Sequence, residues 1–308
     1  MDNLTHSLAG ALLGQLGLKR LTGRAMGTLI IAANLPDIDA LYRFAGPAIG
    51  FRRGITHGPV AMLVLPVALT GLVLAFDRLW PKRDGVPVRP WMILLLAFIG
   101  MLSHPALDWL NSYGIRFLEP FSSRWFYGDT LFIIDVWLWF ALLAAVHRSQ
   151  ILERRGRSDW RRPAVFGLAA IIAYVAANFA LTTVAERRTE QRLIAEHSVQ
   201  PTLVVANPMP LMPWRREMLW RDDFNHGRGT FTLGEGVRLD RNLTLNRLDH
   251  PALARAAAED ENVRAFLFWS RMPVVVERDG RAFLGDQRFL GRAGSSFLVP
   301  LDSAPRSQ

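Results

Sequence analysis

The sequence predicts a mostly α-helical fold: a polytopic membrane bundle of helices followed by a small, β-rich, extracytoplasmic C-terminal domain. Three observations predict it. Half of the 308 residues are hydrophobic, yet the apolar runs crowd the stretch up to Thr183 and charge is dense beyond it. Four of these runs, Val60 to Phe76, Trp91 to Leu110, Leu131 to Val146 and Ala164 to Thr183, approach the roughly 17 to 25 residues a helix needs to cross the hydrocarbon layer. Beyond residue 200, short strand-like runs alternate with glycine-bearing turns. The expected organisation is therefore 1–184 for the membrane domain, 185–213 for an amphipathic helix and proline-rich connector, and 214–308 for the β-rich domain.

Taken in order, Leu4 to Leu18 and Ala25 to Ala33 are apolar but short, and Lys19, Arg20 and Arg24 interrupt them. Two segmentations fit: a helical hairpin folded back on itself, or one segment lying partly in the interface. The chain starts with Asp2 in place of the basic residues of a cleavable signal, so this stretch is expected to stay in the mature fold. The four longer runs follow. The connections from Arg78 to Arg89 and from Arg148 to Arg162 are rich in arginine and lysine, which sets both on the cytoplasmic side. Asn34 to Pro59, Asn111 to Thr130 and everything after Thr183 then fall outside. Ala185 to His197 reads as a charge-rich helix, with Glu186 and Glu190 placed to pair with Arg187, Arg188 or Arg192. Asn207 to Pro213 is a semi-rigid connector. Gly229 to Leu233, Val237 to Leu239, Pro273 to Glu277 and Arg281 to Leu284 read as strands, and Pro251 to Glu259 as a short helix.

Against this background, ionisable residues recur beside the apolar segments: His6, Asp37, Asp39, His57, His104 and Asp108. Such groups are costly near a membrane unless they have a partner or a role, and imidazoles mixed with carboxylates are the composition of a metal site. With the N-terminal stretch as a hairpin, the topology, argued from lysine and arginine alone, brings all six to one face. In Asn34-Leu35-Pro36-Asp37-Ile38-Asp39, proline is expected to end a helix, and in an extended backbone Asp37 and Asp39 would point the same way towards one cation. The alternative is a helix N-cap with an acidic first turn. Arg52-Arg53-Gly54-Ile55-Thr56-His57 delivers His57 at the start of a membrane helix; a hydrogen-bonded interfacial histidine is the plainer alternative. His104 and Asp108, four apart, share a helix face, where they either bind one ion or support each other. Pro105 between them is expected to kink the helix. Ser103 beside His104 and Ser7 beside His6 do not form a nucleophile and base pair, since helical neighbours point about 100° apart, and no Gly-x-Ser-x-Gly elbow is present.

The order and spacing of these motifs, from Leu-Thr-His through Leu-Pro-Asp-Ile-Asp and Arg-Gly-Ile-Thr-His to Leu-Ser-His with Asp108 and Asn-Ser-Tyr-Gly, resemble the YdjM-type family of inner-membrane-associated metal-dependent hydrolases over roughly Met1 to Trp139. The resemblance implies an integral inner-membrane protein whose metal ligands are His6, Asp37, Asp39, His57, His104 and Asp108. Tyr-Gly-Asp-Thr-Leu-Phe-Ile-Ile-Asp, which contains Asp129 and Asp135, looks like the longer members. The chain departs from the pattern at Gly58, where a hydroxyl is expected. The substrate is not conveyed by the resemblance.

Without cysteine, thiolate zinc sites, iron–sulfur clusters and disulfides are excluded. The donors suit a divalent metal, zinc first, then manganese or iron, as one or two ions. The expected chemistry is hydrolysis of an ester or phosphoester, lipid-linked or phosphorylated, by metal-activated water at the outer membrane face. Arg52, Arg53, Arg116 and Arg124 are candidates to hold an anionic group, and Asp135 and Asp129 to serve as base or support. The rival reading is an ion- or proton-translocating or structural membrane protein using the same residues; it predicts groups nearer the midplane and internal repeats. The net charge of +9 sits largely in the topology-setting loops and no nucleic-acid motif is present, so membrane lipid is the expected electrostatic partner. His226 and His250 read as surface or turn residues.

Overall fold

The computed structural model describes residues 1–44, 52–81, 85–241, 243–290 and 297–302. Lys82 and Arg83 of the first basic connection, and part of the connection between Asn34 and Pro59, lie outside them. Two compact units are present. One comprises Met1–Ala40, Arg53–Phe179 and Pro210–Met212; the other comprises Leu41–Arg52, Ala180–Met209 and Pro213–Gln308.

In the first unit, α1 (Asn3–Gln15) and α2 (Ala25–Asn34) form an antiparallel hairpin. Asp2 starts it by accepting the Leu4 and Thr5 amides, a standard N-cap. α1 and α2 pack on each other and on α4 (Pro90–Trp109) through two glycines. A Cβ on Gly10 would meet the Leu29 carbonyl oxygen at 2.7 Å, and one on Gly100 would meet it at 2.9 Å. α3 (Pro59–Leu79) packs on α4, with Leu69, Val73, Ile93 and Ala97 buried between them. α5 (Val136–Arg154) closes against α1 through Leu138, Leu142, Ala145 and Val146.

Among the described residues, three helices are long and apolar enough to cross a membrane: α3, α4 and α6 (Arg162–His197). On α3, Leu63, Val64, Val67, Leu72 and Leu79 are exposed to the surroundings, which suits contact with lipid tails rather than water. The expected span over Leu131 to Val146 needs correction. Asp135 caps α5, so Leu131 to Ile134 are not helical, and His147 and Arg148 follow soon after Val146. The apolar part of α5 is about 16 Å long at 1.5 Å per residue, short of the bilayer core. Ala185 to His197 is helical, as expected, and continues α6 without a break.

The second unit contains a sheet of order β1-β2-β3-β4, formed by β1 (Leu203–Pro208), β2 (Arg215–Arg221), β3 (Asn225–Thr232) and β4 (Gly236–Leu239), with β5 (Thr244–Leu245) paired to β3. All neighbours are antiparallel. The first two strands were not expected: Asn207 and Pro208, read as connector, pair with Glu217 and Arg216. α7 (Pro251–Glu259) begins and ends where the sequence places it, and α8 (Glu261–Trp269) follows. β6 (Pro273–Arg278), β7 (Arg281–Asp286) and β8 (Leu298–Pro300) form a second antiparallel sheet. His250 caps α7 by accepting the Ala252 amide. His226, by contrast, is not a surface residue: it points inward from β3, and burial together with the Arg228 charge pushes its imidazole down to about 4.

Candidate metal centre

Four segments of the first unit converge. α1 supplies His6; the 3-10 stretch Leu35–Phe44 supplies Asp37 and Asp39; the short 3-10 turn Ile55–His57 supplies His57; the last turns of α4 supply His104 and Asp108. α4 remains helical through Pro105, and His104 and Asp108 meet across one turn as their spacing requires, Nε2 to Oδ2 at 3.5 Å.

Donor atoms from Asp37, His57, His104 and Asp108 all lie within 4.8 Å of one another. His57 Nε2 is 3.1 Å from His104 Nε2 and 3.5 Å from Asp108 Oδ2; Asp37 Oδ1 is 3.9 Å from His104 Nε2. His57, His104 and Asp108 are essentially inaccessible to solvent, and Asp37 is partly buried.

The other ring nitrogens fix which tautomer each histidine adopts. His104 Nδ1 lies 2.7 Å from the Ala33 carbonyl oxygen, a pure acceptor, so Nδ1 carries the proton. His57 Nδ1 lies 2.9 Å from Thr56 Oγ1. That hydroxyl donates to Asp39 Oδ2 at 3.3 Å, which leaves it accepting from His57. Both Nε2 atoms therefore present lone pairs, and they face each other at 3.1 Å with two carboxylates alongside. Facing imidazole nitrogens with carboxylates alongside are a donor set that suits a divalent cation. Four donors at the usual zinc distances of about 2.0–2.1 Å would stand about 3.3 Å apart in a regular tetrahedron, and the observed separations of 3.1, 3.5 and 3.9 Å bracket that spacing. The residues could hold a metal ion.

Asp39 does not join Asp37 as the extended reading expects. The backbone is a 3-10 helix there, and with three residues per turn positions i and i+2 diverge. Asp39 instead accepts the Arg53 amide at 2.6 Å and stands 3.5 Å from His57 Nδ1, behind the ring. His6 reaches the cluster by another route: its ring stacks on His104 at 3.8 Å, and its Nε2 lies 3.2 Å from Asp108 Oδ1. Among the described residues the four-donor group includes neither His6 nor Asp39.

Asp108 also carries Arg53. Nε and Nη2 of the guanidinium lie 2.8 and 3.1 Å from its two oxygens, Nη1 donates to Asn111 Oδ1 at 2.9 Å, and the whole group lies over the Tyr113 ring. The amino group of Met1 donates to Asp108 Oδ1 as well. Arg53 thus holds Asp108 in place from a buried position. Arg116 is buried, donates to Glu119 at 3.2 Å and lies over Trp125. Arg124 is exposed beside Phe126, and Arg52 is partly buried in the turn before Arg53. Asp129 is buried in a left-handed conformation, φ 47°, on the loop whose Thr130 and Leu131 amides donate to the Leu110 carbonyl at the end of α4. Asp135 accepts the Leu138 amide at 2.9 Å and the Tyr174 hydroxyl at 3.0 Å.

Gly58 acquires a reason. A Cβ there would run into the carbonyl oxygen of Glu119, so this chain has no room for a side-chain hydroxyl at that position. Thr56, Asn111 and the Ala33 carbonyl are working parts that sequence reasoning passes over. The first two are polar residues within the quoted motifs; a backbone carbonyl has no signature at all.

The chain is 25% identical over 285 residues to the uncharacterized protein YfhP of Bacillus subtilis (strain 168), an alignment covering 88% of this chain and 80% of the relative. No solved structure matches it. The family model described as YdjM inner membrane protein matches residues 1–185, which hold every residue of the His/Asp cluster, and the chain belongs to that family.

Proposed function

We propose that this protein is a membrane metal-dependent hydrolase that cleaves an ester or phosphoester, lipid-linked or phosphorylated, at the outer face of the inner membrane. The observation that carries the reading is the facing pair of His57 and His104 Nε2 atoms, 3.1 Å apart, with both Nδ1 protons committed elsewhere. Asp37, His57, His104 and Asp108 would hold one divalent ion, zinc first. When bound, such an ion supplies Lewis acidity and water activation near neutral pH.

The protein's own groups do the rest. The Ala33 carbonyl and the Thr56–Asp39 pair orient the two imidazoles, the usual means of keeping ring nitrogens aimed at an ion. Arg53 and His6 hold Asp108, and the Arg53 guanidinium offsets negative charge at the site. Exposed Arg124 is the proposed contact for an anionic substrate group, and Arg52 and Arg116 remain candidates for the same role. Buried Asp129, at the end of α4, is the proposed proton acceptor. Both oxygens of Asp135 are engaged in holding α5 and Tyr174, which favours a positioning role for it. His57 precedes α3 and Asp108 falls in the last turn of α4. Ligands at helix ends support a site at a membrane face over a midplane relay, and so favour the enzyme over a transporter.

The test is elemental analysis of detergent-purified protein beside a His104→Ala, Asp108→Ala double variant that retains its helicity, followed by an assay with bis(4-nitrophenyl) phosphate. One equivalent of a transition metal, lost in the variant together with phosphodiester cleavage, is expected. Wild-type protein that takes up no metal after reconstitution would overturn the hydrolase reading.

A further inference from the structure

At the other end of α1 and α2 from the metal centre lies a cavity of about 960 Å³, in the range of small-ligand sites. Its walls are one face of α2, with Met26, Gly27 and Ile31, and one face of α3, with Leu69, Leu72 and Phe76. Its mouth is different in character, carrying, among the described residues, Lys19, Arg20 and Arg24 against the acid Glu153. The Arg20 side chain is 54% exposed and 3.4 Å from Glu153, which is also bonded to Lys19. Arg24 is spoken for by Asp77 at 2.7 Å and lies over the Phe76 ring. The same level of the molecule carries exposed Trp80, at the end of α3, and exposed Trp91, at the start of α4. Exposed tryptophans at helix ends mark the headgroup zone of a bilayer.

We infer that this cavity is a binding site for an anionic glycerophospholipid, one acyl chain lying between α2 and α3 and the phosphate at Lys19 and Arg20. Three features select that occupant together. The walls are apolar and belong partly to a helix able to cross a membrane; the mouth carries more positive than negative charge; and the mouth stands at headgroup level. From Leu69 to Phe76 the α3 wall runs about 10 Å, which accommodates the headgroup-proximal part of a chain and leaves its end in the bilayer. A neutral helix from a partner protein would use the apolar walls but not the cations. The site is separate from the metal centre: Arg89, at the start of α4, bonds to Thr22 of the cavity lining, whereas His104 and Asp108 belong to the last turns of α4.

The test is native mass spectrometry of the delipidated full-length protein in detergent, titrated with phosphatidylglycerol or phosphatidylcholine of identical chains. One phosphatidylglycerol is expected to be retained, in preference to phosphatidylcholine by about tenfold, the scale of one or two uncompensated cations. Gly27→Trp fills the cavity from α2, where nothing lies within 4 Å of an added Cβ, and Leu72→Trp fills it from α3. Either variant, once circular dichroism shows wild-type helicity, is expected to lose the retained lipid. Arg20→Gln is expected to keep lipid binding and lose the headgroup preference. Equal retention of the two lipids, no retention of either, or undiminished phosphatidylglycerol in both filled variants would overturn the inference.

Discussion

Each half of this molecule buries a carboxylate against an arginine, and the two pairs end differently. In the C-terminal unit, Asp286 meets Arg288 two residues away. Arg288 donates to it from its amide, Nε and Nη2 at 2.9, 2.9 and 2.7 Å, and Ser270 Oγ donates at 2.6 Å. Acceptors and donors balance, and Trp269 and Phe289 flank the guanidinium. In the membrane unit, Asp108 has Arg53 on both oxygens, yet two imidazole lone pairs and the Asp37 carboxylate also converge there. The first arrangement is closed and stabilises a fold. The second gathers two imidazoles and a further carboxylate around the one its arginine holds, a grouping that could hold an ion.

The largest effect expected on this contrast is from Asp286→Ala. Removing one partner of a buried pair leaves the other charge uncompensated and costs about 3–5 kcal/mol, read as a lower denaturation midpoint with metal content unchanged. Next, saturating divalent metal is expected to stabilise the wild type by about 2.7 kcal/mol at a hundred times Kd, and Asp108→Asn is expected to abolish that gain in a thermal scan. If Asp108→Asn instead lowered stability equally with and without metal, the two pairs would be the same kind of object and the contrast would fail. A smaller effect separates them by pH. Burial alone would raise the Asp286 carboxyl, but the Arg288 charge and its hydrogen bonds win and hold it down to about 2, against 3.8 for an unperturbed group. The unfolded state therefore binds the proton first. Its stabilisation, on the order of 2 kcal/mol, is complete above the unfolded value and is lost as pH falls from near 4 towards 2. Asp286→Asn should flatten that part of an acid-denaturation curve.

The sequence made the membrane unit legible where periodicity and chemistry coincide. Long apolar runs gave α3, α4 and α6, and the cost of burying His104 and Asp108 marked them as a pair four residues apart. It misjudged Leu131 to Val146, because hydrophobicity does not register that Asp135 starts a helix. It also set Asp37 and Asp39 side by side, since Pro36 permits either an extended chain or a helical first turn and only packing against the neighbouring turns decides. Arg53 looked like a substrate contact because arginine's charge is visible in a sequence and its partner, Asp108, 55 positions later, is not. β1 and β2 were passed over for a related reason: Asn207 and Pro208 carry turn chemistry, and what makes them a strand is the register with Glu217 and Arg216.

The finest test concerns Asp39, which carries charge into the site without being one of the four donors. Its Oδ2 accepts from the Arg53 amide and from Thr56, and Thr56 in turn holds the His57 Nδ1 proton. If that chain of bonds only supports the fold, Asp39→Asn and Thr56→Val should lower stability and leave metal affinity alone. If it aims His57 Nε2 at the ion, each should weaken metal binding about 10- to 100-fold, the usual cost of losing a partner that orients a ligand, while the ion count at saturation stays at one. A competition titration against a chromophoric chelator reads the affinity directly. The second outcome is expected, because the imidazole without its Nδ1 partner is free to place its proton on Nε2. That tautomer would donate towards His104 across 3.1 Å and close the site in the manner of Asp286 and Arg288, turning a metal centre into an ordinary buried hydrogen-bond network.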